Sequence, residues 1–224
     1  SVRPLTAGER QVSVTGQATS AVMGQVAVPD DSVLQSAENT VEAVRGWLWN
    51  TAKIDLDDVH VHFQMRSLSE GAPGQGVSGP SAGLTMLTAL VSELAGIGCP
   101  SSKVMTGTIG IKLDVGPVGG LGGYGSETGK LVGILKTKRV RITDLFVPKV
   151  NYEKARDEMN VLHEEEVRVH PVSSAREMWH TMFGLDETAI LERIELKMMQ
   201  RNLGRKEKRD DNGLLPRRSA SATL

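Results

Sequence analysis

The chain has 224 residues, of which 39% are hydrophobic and 24% charged, and its formal net charge is −1. This length supports one generous domain or two small ones with a self-sufficient core, and the composition excludes collagen-like, coiled-coil and wholly disordered chains. The near-zero balance excludes a strongly basic nucleic-acid binder. No apolar run approaches the roughly 18 residues of a membrane helix, and the single cysteine, Cys99, excludes an intramolecular disulfide or a cysteine-rich metal cluster. The chain opens on Ser1-Val2-Arg3-Pro4 with no initiator methionine and no apolar signal segment, as expected of a processed product or a fragment.

In chain order, Gln11 to Thr15 alternates like a strand, and Val22 to Val28 carries a second strand signal. A helix follows from about Asp30, with Ser32 and Gln35 spaced as a capping box and Leu34, Ala37, Val41, Val44 and Leu48 on one face. Val59-His60-Val61-His62-Phe63 alternates again, and residues 66–79 form a glycine-rich loop. Residues 82–95 predict a helix with Leu84, Leu87, Leu90, Val91 and Leu94 on its apolar face and Gly96 as C-cap. Val104 to Leu113 reads as a strand pair or one bent strand; residues 116–125 hold six glycines in ten, and Lys130 to Lys136 can be helical. Ile142 to Val147 predicts a buried strand, Asn151 to Met159 a short helix, Glu166 to Val172 a strand, and Ser174 to Phe183 a helix capped by Ser174 and Glu177. A last helix over 186–200 carries Ile190, Leu191, Ile194 and Met198 on one face. It packs either on the same core or on another subunit. From residue 201 the chain holds seven basic and three acidic residues, a net of +4, and reads as a solvated tail. Strands and helices joined by hairpin and crossover links predict an α/β or α+β class.

Chemistry concentrates at Gly79-Pro80-Ser81-Ala82-Gly83. A serine between small residues at the start of an apolar helix has two readings. It is an N-cap, or it is a nucleophile beside helix N–H groups able to hold an oxyanion. A nucleophile needs a base. His60 and His62 share one strand face but have no carboxylate at a telling spacing, and as a metal pair they lack a third ligand nearby. Lys130 follows a glycine-rich run but fails the phosphate-loop pattern, because Leu131 stands where Ser or Thr would bind magnesium. As a base, Lys130 must be neutral, which lowers its pKa from about 10.4 toward about 7; burial beside Leu131, Val132, Ile134 and Leu135 supplies such a shift.

Ordered blocks then carry a resemblance. The strongest are Gly79-Pro80-Ser81-Ala82-Gly83-Leu84-Thr85-Met86, Thr88-Ala89-Leu90, Met105-Thr106-Gly107 and Gly116-Pro117-Val118-Gly119-Gly120-Leu121, with weaker similarity upstream at Val33-Leu34-Gln35-Ser36-Ala37 and Val59-His60-Val61-His62 and downstream at Leu145-Phe146-Val147-Pro148-Lys149-Val150-Asn151 and Val169-His170-Pro171-Val172. Together they resemble the proteolytic domain of Lon proteases over residues 9–184. The resemblance implies an α+β fold of mixed small sheets packed with helices, ribosomal protein S5 domain 2-like. It divides the chain into a proteolytic domain over 1–184, a C-terminal helix over 185–200 and a charged, disordered tail over 201–224. It implies a serine endopeptidase with Ser81 as nucleophile and Lys130 as base. Thr106 would orient the lysine, Gly79 and Pro80 would shape the turn, and His60 and His62 would line the site. No metal or nucleotide serves that chemistry within this chain, so ATP and magnesium belong to a separate or fused ATPase module. The expected partners are polypeptide substrates, that module and further copies in a hexameric ring, with no nucleic acid and no membrane. The expected compartment is intracellular, cytoplasm or mitochondrial matrix. Lys130 aligns with the family lysine across an insertion of about six residues at Gly122-Gly123-Tyr124. Lys112 as a substitute base, an inactive Lon-fold scaffold and an ATP-independent processing protease stay open beside this reading.

Overall fold

The computed structural model describes residues 1–17, 31–66, 79–119, 121, 140–157, 159, 162 and 166–212. Within them a three-stranded sheet has the order β1-β3-β2, built from β1 (Val2–Pro4), β2 (Val12–Gln17) and β3 (Val59–Arg66). Strand β1 is antiparallel to β3 and β2 is parallel to it, with Val12 opposite Val61 and Ser13 opposite His62. The parallel pair requires a crossover, and α1 (Asp31–Ala52) lies in that connection. On α1 the spacing of Val33, Ala37, Val41, Val44 and Leu48 buries one face completely. The predicted stripe began one residue later, at Leu34, which stays partly exposed.

The second helix, α2 (Gly83–Ala95), ends at Gly96, whose φ of 66° is the left-handed C-cap expected of glycine. Its predicted apolar residues are all buried, and Met86 and Thr88 are buried with them. Strands β4 (Lys103–Met105), β7 (Asp144–Pro148) and β8 (Arg168–Val172) form a parallel sheet in the order β4-β7-β8. Between β4 and β7, the predicted strand pair resolves into a small antiparallel hairpin of β5 (Thr108–Ile109) and β6 (Val115–Gly116). Central strand β7 is buried on both faces. Phe146 joins the main core, while Leu145 and Val147 join a smaller cluster with Leu121, Met159, Leu162 and Val167.

The short α3 (Lys149–Lys154) follows β7, and α4 (Ala175–Phe183) follows β8. Helix α4 has the predicted caps: Ser174 Oγ accepts from the Arg176 N–H at 3.3 Å and Glu177 accepts from the Ser173 N–H at 3.0 Å. Last comes α5 (Glu187–Asn212). It packs on the core, with Ile190 and Ile194 fully buried and the Trp47 indole N–H bound to Glu187 at 2.7 Å. Its length corrects the expectation of a helix over 185–200 and a disordered tail from 201, because it continues to Asn212. Half of residues 201–212 are Lys, Arg or Glu and none is proline, and such straight-chain residues lose little freedom in a helix. The strand signal at Val22 to Val28, most of the two glycine-rich loops, the helix at 130–136 and residues 213–224 lie outside the described residues. Among the described residues, no helix is long and apolar enough to cross a membrane.

Candidate active site

The turn before α2 begins at Gly79, whose φ of 84° is left-handed and therefore suited to glycine. Pro80 opens a 3₁₀ turn, Pro80–Ala82, where its missing N–H is no loss. Two elements grip this turn. From α1, Ser32 Oγ accepts from the Gly79 N–H at 2.9 Å, and the Ser36 hydroxyl donates to the Pro80 carbonyl at 3.1 Å. One turn further on, the Thr40 hydroxyl donates to the Ser36 carbonyl at 2.8 Å and reaches the Gly83 carbonyl at 3.4 Å. From the segment after β4, the Gly107 N–H donates to the Ser81 carbonyl at 3.0 Å, and the Gly107 carbonyl accepts from the Leu84 N–H at 2.9 Å. The Thr106 hydroxyl donates to the same Ser81 carbonyl at 3.4 Å, and the Thr106 N–H is tied to the Phe146 carbonyl of β7 at 3.1 Å. The fit is tight at two glycines. A Cβ on Gly83 would lie 3.1 Å from both Ile109 N and Ser36 Oγ, and one on Gly107 would lie 2.9 Å from Val115 Cγ1.

Ser81 itself is half-buried. Residue Ala82 occupies the N-cap of α2, and neither that helix nor the 3₁₀ turn has a side-chain cap bond. Among the described residues the Ser81 hydroxyl has no hydrogen-bond partner, so the capping reading of this serine does not hold. Its backbone is fixed by these contacts, and among the described residues nothing engages its hydroxyl. Lys130 lies outside the described residues. Lys112 is exposed in the turn between β5 and β6.

His60 and His62 sit on the β3 face opposite the core, and their surroundings are worked out in hydrogen bonds. His60 Nδ1 faces the Arg10 carbonyl at 2.8 Å, and a carbonyl only accepts, so Nδ1 carries the proton. In the neutral ring, Nε2 then accepts from the Ser13 hydroxyl at 3.0 Å. Ser13 Oγ in turn accepts from His62 Nδ1 at 2.9 Å, and His62 Nε2 accepts from the Thr15 hydroxyl at 3.2 Å. Burial first, then the charges of the terminal ammonium, His60 and Arg3, hold the His62 imidazole below its ordinary pKa. A cavity of about 540 Å³ opens on this face between the two histidines, Arg10, the Arg3–Glu9 ion pair and Leu34 of α1. No hydrogen bond among the described residues joins either histidine to the Ser81 turn.

Three residues of the grip, Ser32, Ser36 and Thr40, carry no site role in the sequence taken alone. Ser32 was expected to cap α1, but the helix already begins at Asp31 and Ser32 turns to Gly79, while Gln35 bonds Asn39 at 3.1 Å. Ser36 and Thr40 are buried. The available signal was their spacing: hydroxyls at 32, 36 and 40 recur every four residues along one side of an otherwise apolar helix face.

The described residues thus form a mixed α/β domain in which the backbone of the Ser81 turn is fixed from two sides. Residues 3–184 match the Lon protease (S16) C-terminal proteolytic domain, and the chain belongs to that family. Its curated relatives include the archaeal Lon protease of Halobacterium salinarum, 29% identical over 144 residues, which covers 64% of this chain and 18% of that protein. The Lon protease of Brevibacillus choshinensis is 31% identical over 155 residues, 67% of this chain and 16% of its own length. That of Methanosarcina barkeri is 30% identical over 159 residues, 70% of this chain and 18% of its own. The chain thus spans less than a fifth of the length of these relatives.

Proposed function

We propose that this chain is a serine-type peptidase in which Ser81 is the nucleophile and Lys130 the general base, and that its fold is of the ribosomal protein S5 domain 2-like kind. The observation that carries the reading is the Ser81 turn, held by its carbonyls and N–H groups, with no described residue bonded to the hydroxyl. In the reaction, Ser81 Oγ attacks the scissile carbonyl carbon as its proton passes to the neutral Lys130 amine. Lys130 returns that proton to the departing amine, leaving an ester on Ser81. Water then attacks the ester, giving a proton to Lys130; as the C–O bond to Ser81 breaks, Lys130 passes that proton to Ser81 Oγ, the acid product leaves and the neutral amine is restored. The Ser81 N–H and a loop amide stabilise the oxyanion, and Thr106 orients the lysine amine. His60 and His62 shape the neighbouring cavity.

Within a longer polypeptide or an assembly, this domain would be the proteolytic part of an ATP-dependent protein-degrading ring inside the cell. An ATPase module outside these 224 residues would unfold polypeptide substrates. The test is peptide hydrolysis by wild type and four variants. Ser81→Ala and Lys130→Arg are expected to be inactive, the latter because a guanidinium stays protonated. Wild-type activity is expected to rise with pH through a depressed lysine pKa. Lys112→Met is expected to stay active. Activity retained in Lys130→Met and lost in Lys112→Met reassigns the base. Undiminished activity in Ser81→Ala overturns the reading.

A further inference from the structure

We infer that Ser36 is a positioning residue for the reaction: by holding the Pro80 carbonyl, it locks the Pro80–Ser81 peptide plane and so aims the Ser81 N–H at the oxyanion. This rests on the reading of Ser81 as nucleophile. A trans peptide unit is planar, with its C=O and N–H pointing in opposite directions. The Pro80 oxygen accepts the Gly83 N–H within the 3₁₀ turn and, from outside it, the Ser36 hydroxyl at 3.1 Å, so Ser36 braces the plane that sets where the Ser81 N–H points. The next peptide plane is set separately, by Gly107 N–H and Thr106 Oγ1 on the Ser81 carbonyl. Ser36 is itself fixed. It is buried, and the Thr40 hydroxyl binds its carbonyl at 2.8 Å. One turn earlier, Ser32 anchors Gly79. A rigid helix thereby reaches the two residues before the nucleophile, at the peptide unit whose N–H the chemistry needs. Oxyanion donors must be placed before charge develops, because a donor that swings free loses much of its worth in the transition state.

The test compares wild type, Ser36→Ala, Ser36→Cys and Ser36→Thr by steady-state peptide hydrolysis, by inhibition with a peptide boronate that mimics the tetrahedral intermediate, and by thermal unfolding. Each enzyme's active sites are counted by fluorophosphonate labelling of Ser81. Ser36→Ala is expected to lower kcat about tenfold to a hundredfold per active site, with KM little changed. Boronate affinity is expected to fall in the same ratio, and Ser36→Thr, which keeps the hydroxyl, is expected to recover most of both. Should Ser36→Ala not fold, Ser36→Cys, a weaker donor of similar shape, carries the same expectation at reduced size. A kcat per active site within twofold of wild type, with unchanged boronate affinity, overturns the assignment and leaves the nucleophile intact. A purely structural role would lower the unfolding midpoint and move neither kcat per active site nor boronate affinity. Failure of wild-type Ser81 to label overturns the nucleophile and Ser36 together.

Discussion

At the Ser81 turn the contacts are made by carbonyls and N–H groups of the turn itself, taken by hydroxyls of α1 and by the backbone after β4. On the β1-β3-β2 sheet the histidines are held in the opposite manner: His60, Ser13, His62 and Thr15 bind one another through their side chains. The first arrangement uses the backbone of the turn and, among the described residues, leaves the Ser81 hydroxyl without a bond. The second consumes the capacity of its polar groups within the fold, which is how half-buried and buried polar side chains are ordinarily stabilised. Histidines draw attention in a sequence because of their chemistry. Here the group with fewer side-chain bonds is the better candidate for reactivity.

The contrast can be broken most sharply at Gly107. A Cβ there meets Val115 Cγ1 at 2.9 Å and Leu84 Cβ at 3.3 Å, while the residue's N–H and carbonyl hold Ser81 and Leu84. Gly107→Ala is expected to cost about 1–3 kcal/mol by overpacking. It is also expected to lower kcat beyond what the unfolded fraction explains, as read by urea unfolding and peptide hydrolysis on the same samples.

His60→Ala should do the reverse. It removes the acceptor of the Ser13 hydroxyl and the donor to the Arg10 carbonyl at a position only 3% exposed. A loss of about 1–3 kcal/mol is expected, with kcat per folded molecule unchanged. A tenfold fall in that kcat would place the histidine in the chemistry.

Acid separates the two regions further. Burial holds the His62 pKa below 6.5, so its neutral form is favoured by folding; that contribution is full above 6.5 and is lost as pH falls below it. Hydrogen bonds from Arg3 and then Thr6 hold Glu9 down, from 4.5 to about 2, so its contribution is full above 4.5 and fades between 4.5 and about 2. Asp144, on β7, acts in the same sense. Burial opposes its ionisation, but bonds from His170, Thr143 and Arg168 outweigh that and keep the carboxyl below its ordinary range. The grip on the Ser81 turn is made of hydroxyls and backbone groups that do not titrate in this range. Stability is therefore expected to fall in acid from the histidine sheet and Asp144. His62→Gln should remove the part of the slope just below 6.5 and Glu9→Gln the part between 4.5 and about 2, measured by urea unfolding across pH.

The smallest effect is expected at the C-terminus. The described contacts of α5 end with Lys197 and Arg201 on Glu93, so removal of residues 205–224 should shift the unfolding midpoint little. A large shift would give the end of α5 a partner within the fold.

Much of this architecture was legible because it is local. The extents of α1 and α2, the glycine that ends α2, the caps of α4 and the buried strand over 144–148 follow from periodicity and capping within a dozen residues. The family blocks around Ser81 and Thr106 were legible for the same reason, being short and ordered. Even the reach of α5 to Asn212 was present in its Lys, Arg and Glu content, though charge was read as tail. What only tertiary structure decided is which groups meet. Ser36 and Pro80 are 44 residues apart, Ser13 and His60 47 apart, and nothing in either segment specifies the partner. Hydrogen-bond pairing over such separations is set by how α1 packs against α2 and how β2 pairs with β3. A serine's capacity to cap, to anchor a backbone or to attack a substrate is the same in the sequence; packing determines which of its oxygens is left unengaged.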